Sequence, residues 1–259
     1  DYGVGMLLPF LGRTDRQRRQ IINTIGPVWD GNEVWMITAG GAMFAAFPDW
    51  YATLFSGFYL ALALMLLTLI LRGVAFEFRS KQPGLAWRRW WDRAIFVGSA
   101  VPALLWGVAL ANIVRGVPID ATMTYTGDLL TLLNPYGLLG GLVAVSVFLL
   151  YGAIFLTLRT DGEVRERAQA VIRRVGPVAT ALVAALVIYT YFDTDILTTQ
   201  GVVPPLTAVG AGLALLAVGW LVNQGRYGWA FLLTGLHIAL TTITAFNGLF
   251  PRVMISSLN

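Results

Sequence analysis

Two carboxylates lie three residues apart at Asp30 and Glu33, in a segment flanked by tryptophans. Residues three apart on a helix share a face, so both carboxyl groups would point in one direction. Gly26 and Pro27 precede them and would loosen the start of such a helix, which leaves backbone groups for water. Carboxyl groups in that arrangement can accept and pass on protons. The spacing therefore predicts a proton-handling site, and two ordinary solvated acids are the alternative.

A third acid, Asp1, lies about as many residues from an arginine-rich connection as Asp30 does. Asp1 precedes Arg13 by 12 residues and Asp30 follows Arg19 by 11, which is about 18 Å and 16 Å if both segments are helical. The two segments are expected to run antiparallel. Asp1 and Asp30 are therefore predicted to lie at similar depth.

One cation extends the predicted site. Arg72 lies seven residues before Arg79, about 10 Å further inward on a helix. Its long side chain either reaches back to the boundary or compensates the acids. With this arginine, the candidate proton-handling group is Asp1, Asp30, Glu33 and Arg72.

Metal chemistry within this chain has few candidate ligands. His237 is the single histidine, and cysteine is absent. A haem with two strong axial ligands, or a copper site built from several histidines, needs more ligands than these. His237 is interpreted as a hydrogen-bonded packing residue, with a ligand role as the alternative. The sequence thus predicts no metal or haem ligated by this chain.

The composition indicates the class of protein that must position these residues. Apolar residues make up 57% of the 259 residues and charged residues only 12%, and the mean hydropathy is +0.69. Apolar runs long enough to cross about 30 Å of hydrocarbon recur along the chain. Helices are expected, because in lipid they satisfy their own backbone hydrogen bonds. The fold class predicted is all-α, a polytopic transmembrane helix bundle, forming a single integral membrane domain over residues 1–259.

Seven full spans are expected after a short apolar stump over residues 2–11, which is read as the end of a longer helix. Both ends of the chain are interpreted as truncated. The seven spans are about 29–47, 51–77, 94–114, 136–158, 177–192, 202–222 and 229–250.

The basic residues test this order of spans. Of the 18 Lys and Arg residues, all but Arg72, Arg115 and Arg252 fall on alternate connections, as an unbroken alternation of spans requires. Loops kept in the cytoplasm collect Lys and Arg. The arginine-rich connections are therefore predicted to face the cytoplasm. Because this bias accounts for the net charge of +4, nucleic acid is not expected as a partner.

Small residues occur at helix-packing spacing in two places. Gly137 and Gly141 form one set, and Gly40 and Gly41 within an Ala-Gly-Gly-Ala run form the other. Small residues let helix backbones approach closely in membranes. Close helix contact is expected at both, and access of a ligand to the backbone is the alternative.

The longest motif carries a family resemblance. Trp29-Asp30-Gly31-Asn32-Glu33-Val34-Trp35, followed by Ile37-Thr38-Ala39-Gly40-Gly41-Ala42, resembles the signature of cytochrome bd subunit II. Asp1-Tyr2-Gly3-Val4-Gly5-Met6-Leu7 is similar to the end of that family's first helix. Further similar blocks begin at Tyr51, Arg72 and Phe250, and another is Leu133-Asn134-Pro135-Tyr136-Gly137. Together they span nearly the whole chain.

The resemblance implies an architecture and a set of partners. Full-length members have nine transmembrane helices, arranged as two four-helix bundles plus one, so this chain would lack most of the first helix and all of the ninth. It implies location in the bacterial inner membrane, embedded among its lipids. It also implies a partner, subunit I, which carries haem b and haem d, and it allows small accessory subunits. The surfaces around Gly40 and Gly137 are predicted to form the apolar face toward subunit I.

The resemblance further implies a reaction, oxidation of membrane quinol and reduction of dioxygen to water. Asp1, Asp30, Glu33 and Arg72 would line a hydrated proton path from the cytoplasm toward the haems of the partner. A structural quinone in this subunit is also implied.

Two alternative functions remain, a purely structural or assembly subunit and a proton-coupled transporter. The repeated halves typical of transporters are not found in the sequence.

Overall fold

The computed structural model describes residues 1–197 and 204–258, and these residues fold into helices without a strand. Only isolated bridges occur, one between Val117 and Ser256 and one between Ile119 and Tyr125. The helices are α1 (Tyr2–Leu11), α2 (Asp15–Ile25), α3 (Trp29–Ala46), α4 (Pro48–Gly57), α5 (Tyr59–Phe78), α6 (Leu85–Arg115), α7 (Leu129–Leu132), α8 (Pro135–Arg159), α9 (Gly162–Asp193), α10 (Pro204–Asn223) and α11 (Tyr227–Leu249).

Six helices in the described ranges are long and apolar enough to cross a membrane, namely α5, α6, α8, α9, α10 and α11. The fold class predicted from the sequence is confirmed. The seven-span expectation differs at α3, which has the length of a span but carries Asp30, Asn32 and Glu33 and is not among the six. The start of the predicted span 202–222 lies outside the described residues.

Three predicted boundaries are wrong. The expected span 94–114 begins nine residues too late, because α6 starts at Leu85. The expected span 51–77 is divided at Phe58, where α4 ends and α5 begins. The expected span 177–192 is the second half of α9, a helix of 32 residues that also contains the arginine-rich stretch before Pro177. Hydropathy alone could not show this, because charged residues continue a helix as readily as apolar ones once it leaves the lipid.

Helix α2 explains how the chain turns between α1 and α3. Thr14 and Gln17 form a capping box at its start, and Ile21 and Ile25 are buried beneath it. The helix ends at Ile25, and α3 starts only at Trp29. The depth estimate of 16 Å for Asp30 assumed one continuous helix from Arg19, so this break invalidates it.

Glycines allow the central helices to approach closely. A Cβ atom on Gly3 of α1 would lie 1.8 Å from the Phe148 carbonyl oxygen of α8, and one on Gly107 of α6 would lie 2.2 Å from the Gly140 carbonyl oxygen of α8. Neither position can hold a side chain without moving a helix. Helix α8 is therefore the centre against which α1 and α6 pack.

Candidate functional site: a buried ion pair and its cavity

The site is centred on an ion pair between α5 and α3. Arg72 of α5 is fully buried, with 0% of its surface exposed. Its Nη1 donates to Oε1 of Glu33 on α3 at 2.7 Å, and the Glu33 side chain is 20% exposed. A cation in this position costs free energy unless it is paired. The pair therefore compensates the buried charge, as one reading of the sequence expected.

Glu33 does not satisfy the other nitrogens of Arg72. Nε and Nη2 are buried and have no hydrogen-bond partner in the described part of the chain. The guanidinium carbon lies 5.1 Å from the ring centre of Tyr2 and 5.3 Å from that of Phe76. Aromatic faces attract cations at such distances. Two aromatic rings thus lie within cation–π distance of the guanidinium.

Asp1 lies at the same site through Asn32. The Asn32 side-chain amide donates to Oδ2 of Asp1 at 2.6 Å and joins α3 to the start of α1. Asp1, Asn32, Glu33 and Arg72 all line one cavity of about 550 Å³. Its remaining lining is largely apolar and includes the rings of Phe148, Tyr151, Phe155 and Phe231. Polar groups in an apolar cavity can hold ordered water.

Asp30 lies apart from this cluster. It is exposed in the first turn of α3, and its Oδ1 accepts a hydrogen bond from the Gly31 backbone N–H at 2.8 Å. It is not among the residues that line the cavity. An acid in the first turn of a helix is also favoured by the helix dipole. The structure brings Asp1, Glu33 and Arg72 together and leaves Asp30 on the outer surface of α3.

A sequence model for subunit II of the cytochrome bd terminal oxidase matches residues 1–259. The chain is 41% identical over 259 residues to cytochrome bd ubiquinol oxidase subunit 2 of Bacillus subtilis, covering all of this chain and 77% of that protein. Cytochrome bd-I ubiquinol oxidase subunit 2 of Escherichia coli K12 is 40% identical over 290 aligned positions, covering 99% of this chain and 76% of that protein. The chain belongs to the cytochrome bd oxidase subunit II family.

A solved structure of the bd oxidase from Geobacillus thermodenitrificans shares the fold. The TM-score is 0.79 at 20% sequence identity, and the match covers 98% of this chain and 80% of that chain. Family membership makes this chain a subunit of a haem-containing terminal oxidase, with subunit I as its partner. It is a multi-pass protein of the bacterial inner membrane.

The motif over residues 29–35 lies against the ion pair on one face only. Trp29 lies 5.1 Å from the ring of Phe76, one turn from Arg72 on α5. In contrast, Trp35 is 75% exposed. A Cβ atom on Gly31, Gly40 or Gly41 would meet nothing within 4 Å, and α3 has no buried residue. One face of the motif therefore lies over the site, and the other is uncovered in this chain.

The second block of the resemblance has a structural role at the opposite end of the bundle. Asn134 caps α8, because its Oδ1 accepts from the Gly137 backbone N–H at 2.8 Å and its amide donates to Asn112 at 2.7 Å. Pro135 occupies the first turn of α8, where a missing N–H costs nothing. Gly137 is buried against α6, and a Cβ there would lie 2.6 Å from Asn112 Nδ2. The prediction that Gly137 faces subunit I is wrong, since its surface is used within the chain.

A second charged cluster was missed by the sequence analysis. Asp92 of α6 accepts from Arg79 at 2.6 Å and from Arg18 at 2.7 Å, and Asp15 accepts from Arg79 at 2.9 Å and from Arg88 at 2.7 Å. Asp92 and Arg79 are nearly fully buried. Burial opposes the charge of Arg79, but its hydrogen bonds to Asp92 and then Asp15 outweigh burial and raise the pKa of its guanidinium. The sequence identifies these arginines only as topological charges, whereas in the structure their network ties α2 to α5 and α6.

His237 of α11 is buried, and its Nδ1 lies 2.9 Å from the Ala211 carbonyl oxygen of α10. This hydrogen bond joins α11 to α10. Among the described residues, no group of three or more His, Cys, Asp or Glu side chains could hold a metal ion.

Proposed function

We propose that this subunit supports subunit I and supplies part of a proton-uptake path to the haems where dioxygen is reduced. The observation that carries the proposal is the Glu33–Arg72 ion pair, which lines a cavity together with Asp1. Intramembrane charges of this kind are costly and are typical of proton and ion pathways. The arginine-rich connections favour a position of the start of α3 near the cytoplasmic side.

Reducing one dioxygen to two waters consumes four electrons and four protons. Quinol supplies the electrons, and the path supplies protons. Burial and a neighbouring cation act in opposite directions on the proton affinity of a carboxyl group, so such a group can exchange protons near neutral pH. In this scheme Asp30 receives protons on the outer surface of α3, and Glu33 and Asp1 hold them at the cavity. Arg72 keeps Glu33 in place.

The haems of the complex, haem b and haem d, are proposed to lie in subunit I. A set of such haems needs several strong axial ligands, and this chain offers a single histidine and no cysteine. The residues present therefore do not fit a haem site in this subunit.

A structural quinone is also part of the proposal. The cavity combines the rings of Tyr2, Phe148 and Tyr151 with the unpaired donors of Arg72. A flat ring that carries carbonyl oxygens suits such a lining. The residues present would stack against that ring and donate hydrogen bonds to its oxygens.

The first experiment substitutes Asp30. Asp30→Asn keeps the shape of the side chain but removes its titratable proton, so packing should change little. We expect an assembled complex with normal haem content and a quinol oxidase rate lowered at least about tenfold, which corresponds to roughly 1.4 kcal/mol in barrier. Asp30→Glu should recover part of the rate.

Asp49→Asn is the matched control, since Asp49 is likewise exposed in the first turn of a helix, α4. It should leave the rate unchanged. If Asp30→Asn loses haem, the residue serves assembly, and a purely structural subunit becomes the better account. Full activity in Asp30→Asn would identify it as a solvated boundary acid and remove it from the path.

A further inference from the structure

Arg72 is held by less polar contact than a buried guanidinium needs. Its single ion pair uses Nη1, whereas Nε and Nη2 are buried without a hydrogen-bond partner among residues 1–197 and 204–258. A guanidinium has five N–H donors, and unpaired ones are costly away from water. Something other than hydrogen bonding from this chain must therefore stabilise the cation.

Two aromatic rings from different helices lie beside the guanidinium of Arg72. Tyr2 comes from α1 and Phe76 from α5, and their ring centres lie 5.1 Å and 5.3 Å from the guanidinium carbon. The Tyr2 hydroxyl donates to the Met36 sulfur of α3 at 3.3 Å, and the Phe76 ring packs on Trp29 of α3 at 5.1 Å. Both rings are thus fixed by the helix that carries Glu33.

We propose that Tyr2 and Phe76 are positioning residues, which hold Arg72 charged and directed at Glu33 in the proton path. The inference rests on the proposed function, because it gives the rings a role only if the Glu33–Arg72 pair takes part in proton uptake. Cation–π attraction is largest where water is excluded, and Arg72 is fully buried. Without a ring, the guanidinium gains room to turn away from Glu33.

The test is a double-mutant cycle in the assembled oxidase. Phe76→Leu removes one ring while keeping an apolar side chain, and it should lower the maximal quinol oxidase rate about fivefold without changing the KM for quinol. Phe76→Tyr keeps a ring and should retain most of the rate. Tyr2→Phe and Tyr2→Leu form the same comparison for the other ring. If Phe76→Leu does not assemble, Phe76→Met is the second variant without a ring.

The decisive comparison repeats Phe76→Leu in a Glu33→Gln background. If the Phe76 ring affects the rate only through the Glu33–Arg72 ion pair, its effect depends on Glu33. In the Glu33→Gln background, Phe76→Leu should therefore change the remaining rate less than about twofold. Phe96→Leu is the control. The ring of Phe96 on α6 packs on the ring of Phe10, with 6.0 Å between the ring centres, and it is not one of the two rings over Arg72. The substitution should have no effect in either background. Haem content is measured for every variant.

The outcomes separate the two claims. If Glu33→Gln alone leaves the rate unchanged, the proposed function fails, and this inference fails with it. If Glu33→Gln slows the oxidase but Phe76→Leu does not, only the positioning role is overturned. An equal effect of Phe76→Leu in both backgrounds, or equal loss in Phe76→Tyr, would likewise show that the ring serves packing alone.

Discussion

At the scale of single residues, two buried arginines are stabilised in different ways. Arg79 has two carboxylates within hydrogen-bond distance, whereas Arg72 has one carboxylate and two rings. The first arrangement is a satisfied network, which favours a fixed structure. The second leaves two donors of Arg72 without a hydrogen-bond partner, in a residue that lines a cavity, which favours contact with water or a ligand.

Asp92 tests the structural network. Asp92→Asn should destabilise the subunit by about 3 kcal/mol, because it leaves the buried Arg79 without its closest anion. The thermal unfolding midpoint of the purified complex should fall by roughly 6 °C. Glu163→Gln is the control, since Glu163 pairs with Arg167 but is 66% exposed, and exposed pairs contribute about 1 kcal/mol or less. Equal midpoints for the two variants would contradict the structural role of the network.

The sequence predicted part of the site from residue types. Costly charges in an apolar segment marked Asp30, Glu33 and Arg72, and the structure pairs the last two. It could not separate Asp30 from Glu33, because residues three apart share a face of a helix, and only the position of Arg72 on α5 distinguishes the paired acid from the exposed one. Tyr2 and Phe76 gave no signal, since an aromatic residue in a membrane helix is ordinary.

At the scale of helices, close packing depends on glycine at particular crossings. A Cβ on Gly140 would lie 2.5 Å from the Ala111 side chain and 2.8 Å from the Gly107 carbonyl oxygen. Gly140→Leu should therefore force α6 and α8 apart and reduce the yield of assembled oxidase severalfold, measured as haem per membrane protein. Gly219→Leu on α10 is the control, because a Cβ there meets nothing within 4 Å. Normal haem content in Gly140→Leu would contradict this account of the crossing.

Glycine spacing predicted close contacts but not their partners. Gly137 and Gly40 carry the same signal in the sequence, yet Gly137 is buried within the chain and Gly40 is open. Spacing describes one helix surface, whereas burial depends on which helix lies opposite. The open surface of α3 around Gly40 is still predicted to pack on subunit I.

At the scale of the whole molecule, the alternation of basic connections predicts one orientation in the membrane. Because the chain has no cysteine, single cysteines can report sidedness. Lys81→Cys and Ala121→Cys are both at exposed positions and lie in successive connections. In intact cells, a membrane-impermeant thiol reagent should label Ala121→Cys and not Lys81→Cys. The reverse pattern would place α3 and its acids on the wrong side for uptake from the cytoplasm.

The overall architecture was the most predictable feature. Apolar length and the charge bias were enough for α8 and α11, because the bilayer itself sets helix length. They failed at Phe58, which is apolar and gives no sign of a break, and in α6 and α9, whose charged halves continue a membrane helix. A hydropathy pattern shows where a helix leaves the lipid and not where the helix ends.

Proton uptake during a single turnover tests the central claim most directly. The fully reduced complex is mixed with dioxygen in the presence of a pH indicator, and haem oxidation and proton uptake are followed together. In Glu33→Gln, with normal haem content, proton uptake should be slowed at least about tenfold relative to Asp49→Asn. Proton uptake in Glu33→Gln at the rate of the unsubstituted complex would contradict a path through the Glu33–Arg72 site.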